Sequence, residues 1–246
     1  SLLWAQGIAA GYKFNVDIGE PDVSPLQVQG PNSTKLMTKV FGDWIKDLGF
    51  YRFKHVTHEG IPMIIARMGY SRELCYELFL QDSSKGNDLW ELLWQAGRDF
   101  NISAGGPNII LRLEGGILSY LADIDRTNNP YEVGLDWLVD LDQEDDFIGK
   151  EALREISLKG PVKKLMGAEI HGDPIMDSNA EHWPVLVKGK KVGSMKAMVY
   201  SPRLKKNICY AIIDIEHAQS GQDIIISSPD KDLLATTVDL PWLERA

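Results

Sequence analysis

The sequence predicts an α+β fold that ends in a small antiparallel β-barrel or sandwich. Residues 53–57 and 62–67 flank His58-Glu59-Gly60-Ile61 and are typical of a β-hairpin, and a further strand is predicted over 76–80. Helical patterns follow these strands as a block, which favours an α+β layer over a parallel βαβ sheet. Beyond residue 161 the pattern changes to short β-rich runs separated by turn residues.

The first fifty residues alternate between helical and extended patterns. An apolar helical pattern surrounds Trp4 and Ile8, and alternating apolar and polar residues predict a strand over 12–18. A second short strand is expected over 24–29. A helix is expected over 34–41, capped by the preceding Asn or Ser residues.

Three more helices and six barrel strands complete the prediction. Apolar residues at helical spacing predict a helix over 88–100, and further helices are expected over 108–120 and 148–156. Lys159-Gly160-Pro161 has the composition of a domain boundary. The predicted barrel strands are 165–170, 184–188, 191–197, 208–213, 223–226 and 235–238.

Charge and composition argue against several classes of function. The 246 residues carry a formal net charge of −9, so general binding to nucleic acid is not expected. No apolar run approaches the ~20 residues that span a bilayer. Cys75 and Cys209 are too few and too far apart for a disulfide scaffold or a zinc site, and we expect reduced thiols in a cytoplasmic protein. His55 and His58 would lie on opposite faces of a strand, so no metal site is predicted.

The most unusual local composition surrounds Glu77. Alternation along the strand places Glu77 on the side of Phe79, and a buried carboxylate is costly without a donor. Two explanations stay open: the donor is a bound heterocycle with an amino-pyrimidine edge, or it is an arginine such as Arg67 or Arg112. Cys75 has no evident histidine base, which makes a nucleophilic thiol the weaker alternative.

Seven blocks in order resemble the family of the glycine-cleavage T-protein and dimethylsulfoniopropionate demethylase. The chain is identified as a member, closest to the demethylase branch, by these segments: Leu26–Pro31, Arg67–Leu78, Arg112–Tyr120, Asp123–Asp125 with Asn129–Leu135, Phe147–Leu153, Gly193 with Tyr200–Pro202 and Lys206–Ile208, and Asp239–Trp242.

The resemblance implies a three-domain clover-leaf around a channel that holds tetrahydrofolate. It implies that residues 1–52 and 124–160 belong to a folate-binding first domain, 53–123 to an α+β second domain and 161–246 to the C-terminal barrel. The chain starts inside a helical pattern, so an N-terminal part with the catalytic residues is expected to be missing.

The resemblance also supplies candidate site residues. Family members carry a glutamate at the position of Glu77 that accepts hydrogen bonds from the pterin amino edge. Tyr76 and Tyr70 are expected to wall the site, with core packing as the alternative. Arg112 belongs to the Arg-Leu-Glu block. Asn108, four residues earlier, stands where aminomethyltransferases carry an arginine, and both are expected to contribute to the folate site.

The implied function is transfer of a methyl group from a small donor such as dimethylsulfoniopropionate to tetrahydrofolate. The first alternative is the aminomethyltransferase of glycine cleavage, which would dock a lipoyl carrier protein and is disfavoured by Asn108. The second is a folate-binding regulatory protein without transferase activity.

Overall fold

The computed structural model describes residues 2–71, 73–177 and 181–243. The chain forms two compact units. The first contains the described residues of Ser1–Gly69 and Glu73–Gly105, and the second contains those of Tyr70–Arg72 and Gly106–Ala246.

The first unit is built on a four-stranded antiparallel sheet with the order β1-β4-β3-β2. Its strands are β1 (Ser24–Gln29), β2 (Phe53–His58), β3 (Ile61–Ala66) and β4 (Cys75–Leu80). Glu59 and Gly60, which join β2 to β3, both have positive φ angles of 50° and 78°. This geometry gives a two-residue hairpin turn whose twist matches that of the strands.

Three helices belong to the first unit: α1 (Leu2–Gly11), α2 (Ser33–Phe41) and α3 (Gly86–Gly97). Residues of α2 and α3 form the core with one face of the sheet; among its fully buried members are Met37, Leu78 and Leu89. Burying this apolar face is the main stabilising contribution in this unit. The other face of the sheet does not take part in this core.

The predicted strand over 12–18 is wrong, because the structure shows no strand there. Tyr12, Phe14 and Val16 have exposed fractions of 64%, 60% and 59%. A strand needs a neighbouring strand that accepts its backbone hydrogen bonds, whereas here the N–H groups of residues 12–14 donate to carbonyls at the end of α1.

The second unit contains α4 (Ile109–Glu114), α5 (Lys150–Lys159) and a closed barrel. The barrel strands are β5 (Lys163–Ile170), β6 (Pro184–Val187), β7 (Lys190–Ser201), β8 (Lys206–Asp214), β9 (Asp223–Ser227) and β10 (Asp232–Val238), in the order β10-β5-β8-β7-β6-β9. All six predicted barrel strands are present, and the prediction of an α+β fold with an antiparallel barrel is confirmed.

Glycines decide two details of the second unit. Helix α4 ends at Glu114, earlier than predicted, because Gly115 and Gly116 follow and Gly116 has a φ of 69°. In β7, a Cβ at Gly193 would lie 2.2 Å from the carbonyl oxygen of Ile212, so only glycine allows this close strand pairing.

The unit boundaries differ from those that the resemblance implies. β1, in the predicted first domain, pairs with β4, in the predicted second domain, through all six of its residues. Residues 24–29 and 75–80 therefore share one sheet. This pairing holds residues from both sides of residue 52 in the first compact unit, and the domain bounds that the resemblance implies stay a prediction.

Candidate ligand-binding site

Glu77 lies on the sheet face opposite the core of the first unit. Along β4, Tyr76, Leu78 and Leu80 are at most 1% exposed and belong to the core. Because side chains alternate along a strand, Glu77 and Phe79 point to the other face. The cross-strand neighbours of Glu77 are Gln27 of β1 and Ala66 of β3.

The Glu77 carboxylate is half-buried, and desolvation by burial raises its pKa. Among the described residues it has no hydrogen-bond or ion-pair partner. A carboxylate in this state is stabilised by any ligand that supplies N–H donors. The Glu77 carboxylate thus has acceptor capacity that no described residue uses.

Both candidate arginine partners are engaged elsewhere. Arg67 donates to the backbone carbonyl of Leu48 at 3.2 Å. In the second unit, Arg112 forms an ion pair with Asp123 and donates to the carbonyl of Ile117 at 3.0 Å. Neither Arg67 nor Arg112 is therefore the partner of Glu77 in this structure.

The two tyrosines have different surroundings. Tyr76 is 1% exposed, and its hydroxyl is 2.9 Å from Oγ1 of Thr34, within the core and on the sheet face opposite Glu77. This position corresponds to the core-packing alternative. Tyr70 is half-buried in the second unit, where its hydroxyl donates to the carbonyl of Gly106 at 3.2 Å.

Asn108 caps helix α4. Its Oδ1 accepts from the backbone N–H groups of Ile110 and Leu111 at 2.8 and 3.3 Å, which satisfies two otherwise unpaired donors of the first turn. Asn108 also lines a cavity of about 350 Å³, together with residues that include Tyr200 and Val199 of β7. Its side-chain oxygen is thus used for structure, while the residue stays at the edge of a cavity.

We expect Asn108→Ala to lower the free energy of unfolding by about 1 kcal/mol, because the two capping bonds are lost. Urea unfolding monitored by circular dichroism would measure this change. Asn108→Asp keeps the accepting oxygen and serves as the control, with little expected loss. Equal destabilisation by both substitutions would contradict the capping role.

The ion pair between Arg112 and Asp123 is buried. The Asp123 side chain has no exposed surface and that of Arg112 is 16% exposed. Asp123 also accepts from the backbone N–H of Ser119 at 2.7 Å. Asp123 lies in one of the motif blocks, but nothing in the local sequence pattern identifies Arg112 as its partner.

A second buried carboxylate connects α4 to the barrel. Glu114 is 2% exposed, and the hydroxyl of Ser201 in β7 donates to its Oε1 at 2.6 Å. Two of the motif blocks, at Arg112–Tyr120 and Tyr200–Pro202, therefore meet in the second unit. This hydrogen bond joins α4 to strand β7 of the barrel.

Gln27 and Cys75 form a polar contact that the sequence analysis missed. Gln27 Nε2 donates to Cys75 Sγ at 3.0 Å. Burial raises the pKa of the Cys75 thiol to about 12, so it stays protonated at neutral pH and is unsuited to be a nucleophile. The strand register, with Gln29 opposite Cys75 and Gln27 opposite Glu77, produces this contact.

Neither a metal centre nor a membrane span is found among the described residues. No group of three His, Cys, Asp or Glu side chains in that part of the chain could hold an ion, and no helix there is long and apolar enough to cross a bilayer. The ring of His55 contacts Phe53, and that of His58 contacts Phe41. Both histidines thus have aromatic packing partners.

The chain belongs to the family of the glycine cleavage T-protein. The model of the GCVT N-terminal domain matches residues 3–143, and that of the glycine cleavage T-protein C-terminal barrel domain matches residues 163–244. The resemblance predicted from the sequence motifs is confirmed.

The chain is similar to curated relatives of two kinds within this family. The chain is 38% identical over 231 residues to the dimethylsulfoniopropionate demethylase DmdA of Ruegeria pomeroyi, covering 93% of this chain and 62% of the relative. It is 30% identical over 230 residues to an aminomethyltransferase of Bacillus cytotoxicus, covering 92% and 61%. The chain therefore spans about three fifths of the length of these relatives.

The fold is shared with a solved structure. The crystal structure of the glycine cleavage system aminomethyltransferase T from Bartonella henselae matches with a TM-score of 0.79 at 20% identity, over 98% of this chain and 66% of that one. The likeness establishes the T-protein fold.

Proposed function

We propose that this chain is the folate-binding part of a tetrahydrofolate-dependent methyltransferase whose donor is a small molecule such as dimethylsulfoniopropionate. The observation that carries the proposal is Glu77, a half-buried carboxylate with a raised pKa and no partner among the described residues. Family membership and 38% identity to a dimethylsulfoniopropionate demethylase support the substrate class.

The residues of the first unit fit the head group of tetrahydrofolate. A pterin presents the N3–H and the 2-amino N–H side by side, and a carboxylate accepts both and fixes the orientation of the ring. Glu77 would hold this edge, and Phe79, on the same face, supplies apolar surface beside it. Bound tetrahydrofolate supplies the nitrogen nucleophile that takes up the methyl group.

The remaining task of the protein in this proposal is alignment. After its methyl group is transferred, a sulfonium donor departs as a neutral thioether and the methylated nitrogen releases its proton to solvent, so the transfer requires no strong acid. It requires the nucleophile, the methyl carbon and the sulfur in line, and the exclusion of water. We assign no catalytic residue to the described part of the chain. The two buried free thiols are consistent with a reaction in the cytoplasm.

Aminomethyl transfer is the second candidate, since a curated aminomethyltransferase is 30% identical. That reaction would need a lipoyl carrier protein as partner. Asn108 counts against it, because the corresponding arginine of aminomethyltransferases is replaced here by a helix cap. A folate-binding regulator would share the pterin site and lack the transfer step.

Calorimetric titration with tetrahydrofolate, followed by an assay for 5-methyl-tetrahydrofolate with dimethylsulfoniopropionate as donor, tests the proposal. Binding with methyl transfer is the expected result. Binding without transfer from this donor would exclude the proposed substrate and leave another donor or the regulator. No binding by the full-length protein would reject the proposed function.

Folate affinity is expected to fall as the pH drops through the raised pKa of Glu77. The protonated carboxyl has one acceptor fewer. Because the pKa of Glu77 is raised, binding weakens at a higher pH than it would with a glutamate of ordinary pKa. The stability of the free protein changes in the opposite sense. Because the pKa of Glu77 is raised in the folded state, protonation favours folding at low pH, and this contribution to stability is lost as the pH rises through the folded-state pKa. Titrations at several pH values measure the first effect, and a pH-independent affinity in this range would contradict it.

A further inference from the structure

Gln27 is the nearest polar neighbour of Glu77 across the sheet. The two residues are directly opposed in the antiparallel pairing of β1 with β4. Side chains opposed in this way leave the same face of the sheet with Cβ atoms ~5 Å apart. Any ligand that reaches the Glu77 carboxylate therefore also approaches the Gln27 amide.

The orientation of the Gln27 amide is set by the Cys75 thiol. The thiol donates to the carbonyl of Tyr76 at 3.8 Å and accepts from Gln27 Nε2 at 3.0 Å. Because a protonated thiol has only one hydrogen to donate, this direction places the nitrogen of the amide on the thiol. The oxygen, Oε1, is left facing away from the thiol, and no donor of the described residues hydrogen-bonds to it.

Gly69 packs against the contact between the Gln27 amide and the Cys75 thiol. A Cβ at this position would lie 2.6 Å from Cys75 Sγ and 3.1 Å from Gln27 Nε2. The backbone at Gly69 therefore packs directly on the amide–thiol contact. A preorganised amide loses less conformational freedom when it binds a ligand than a mobile one does.

We propose that Gln27 is a specificity-determining residue whose Oε1 accepts the second hydrogen of the pterin 2-amino group, beside the two hydrogen bonds that Glu77 accepts. The inference rests on the proposed function. It assigns three acceptors, two from Glu77 and one from Gln27, to the three N–H donors of the amino-pyrimidinone edge. A ligand without the 2-amino group loses the partner of Gln27.

The test compares the binding of two ligands to the parent protein and to two variants. Tetrahydrofolate and its 2-desamino-2-methyl analogue are titrated calorimetrically into the full-length protein, Gln27→Met and Glu77→Gln. Methionine keeps the length of the side chain and removes the acceptor. We expect Gln27→Met to weaken tetrahydrofolate binding about 10-fold and to change the affinity for the analogue less than about twofold, because that ligand has no hydrogen to donate there.

The outcomes separate this inference from the proposed function. If the parent binds tetrahydrofolate and Glu77→Gln loses it, but Gln27→Met has no effect or weakens both ligands equally, only the role of Gln27 is overturned. If the parent does not bind tetrahydrofolate, both proposals fall.

Cys75→Ala keeps the inference testable if Gln27→Met does not fold. This variant retains Gln27 but removes the thiol that orients its amide. We expect a loss for tetrahydrofolate that is smaller than that of Gln27→Met, with the analogue unaffected. Equal affinities of Cys75→Ala and the parent for tetrahydrofolate would show that the thiol does not orient the amide and would overturn the inference.

Discussion

Replacing Glu77 by glutamine is expected to weaken tetrahydrofolate binding by about 100-fold. Glutamine has nearly the same shape but offers one acceptor oxygen where the carboxylate offers two, and it places an N–H group against a donor of the ligand. Charge-assisted hydrogen bonds contribute about 1.5–3 kcal/mol each, and a mismatched donor adds to the loss. Calorimetric titration measures the effect directly.

Glu73→Gln is the matched control for this substitution. Glu73 is also half-buried and precedes β4 in the same unit, but it is not among the proposed ligand contacts. We expect its affinity for tetrahydrofolate to stay within about twofold of the parent, the change typical of a site that does not touch the ligand. Equal weakening by both substitutions would indicate a general effect of charge and would refute the assignment of Glu77.

Glu77→Gln is expected to leave the free protein as stable as the parent or to stabilise it at neutral pH. Burial raises the pKa of Glu77, so the ionised side chain opposes folding above its usual pKa, and glutamine removes that cost. Higher stability together with weaker binding is characteristic of a residue retained for its ligand. A large loss of stability would instead indicate a structural role for the carboxylate.

Local patterns were sufficient for much of the fold. The barrel strands follow from alternation and turn residues, and β1 was predicted with its observed limits, because each of these strands finds a partner. The same alternation at 12–18 gave a wrong strand. The pattern describes a half-buried surface, and it does not state whether a neighbouring strand exists to complete it.

The site was predictable only in part. Glu77 stands out from the sequence because a carboxylate on an apolar strand is costly. Gln27 does not, since its significance depends on the register between β1 and β4, which are separated by 45 residues between Gln29 and Cys75. The role of Asp123 is not predictable for a similar reason. Its ion pair with Arg112 depends on the turn after α4 and on burial, and a sequence motif specifies neither.

Asp123→Ala is expected to lower the free energy of unfolding of the second unit by about 3–5 kcal/mol. The substitution leaves the guanidinium of Arg112 buried without its counter-charge and removes the acceptor of the Ser119 N–H. Breaking one side of a buried ion pair has this magnitude because the remaining charge keeps its desolvation cost. Urea unfolding followed by tryptophan fluorescence is the measurement.

Two further variants distinguish burial from charge and structure from binding. Glu151→Ala breaks an exposed ion pair with Arg154, in which Glu151 is 77% exposed, and should cost less than about 1 kcal/mol. The double variant Arg112→Met/Asp123→Leu replaces both charges by apolar groups and should recover most of the stability. If the double variant folds but loses tetrahydrofolate, the loss supports the role of Arg112 in folate binding that the family resemblance implies. If it binds normally, the ion pair serves the fold alone, and Glu77 with Gln27 accounts for pterin recognition.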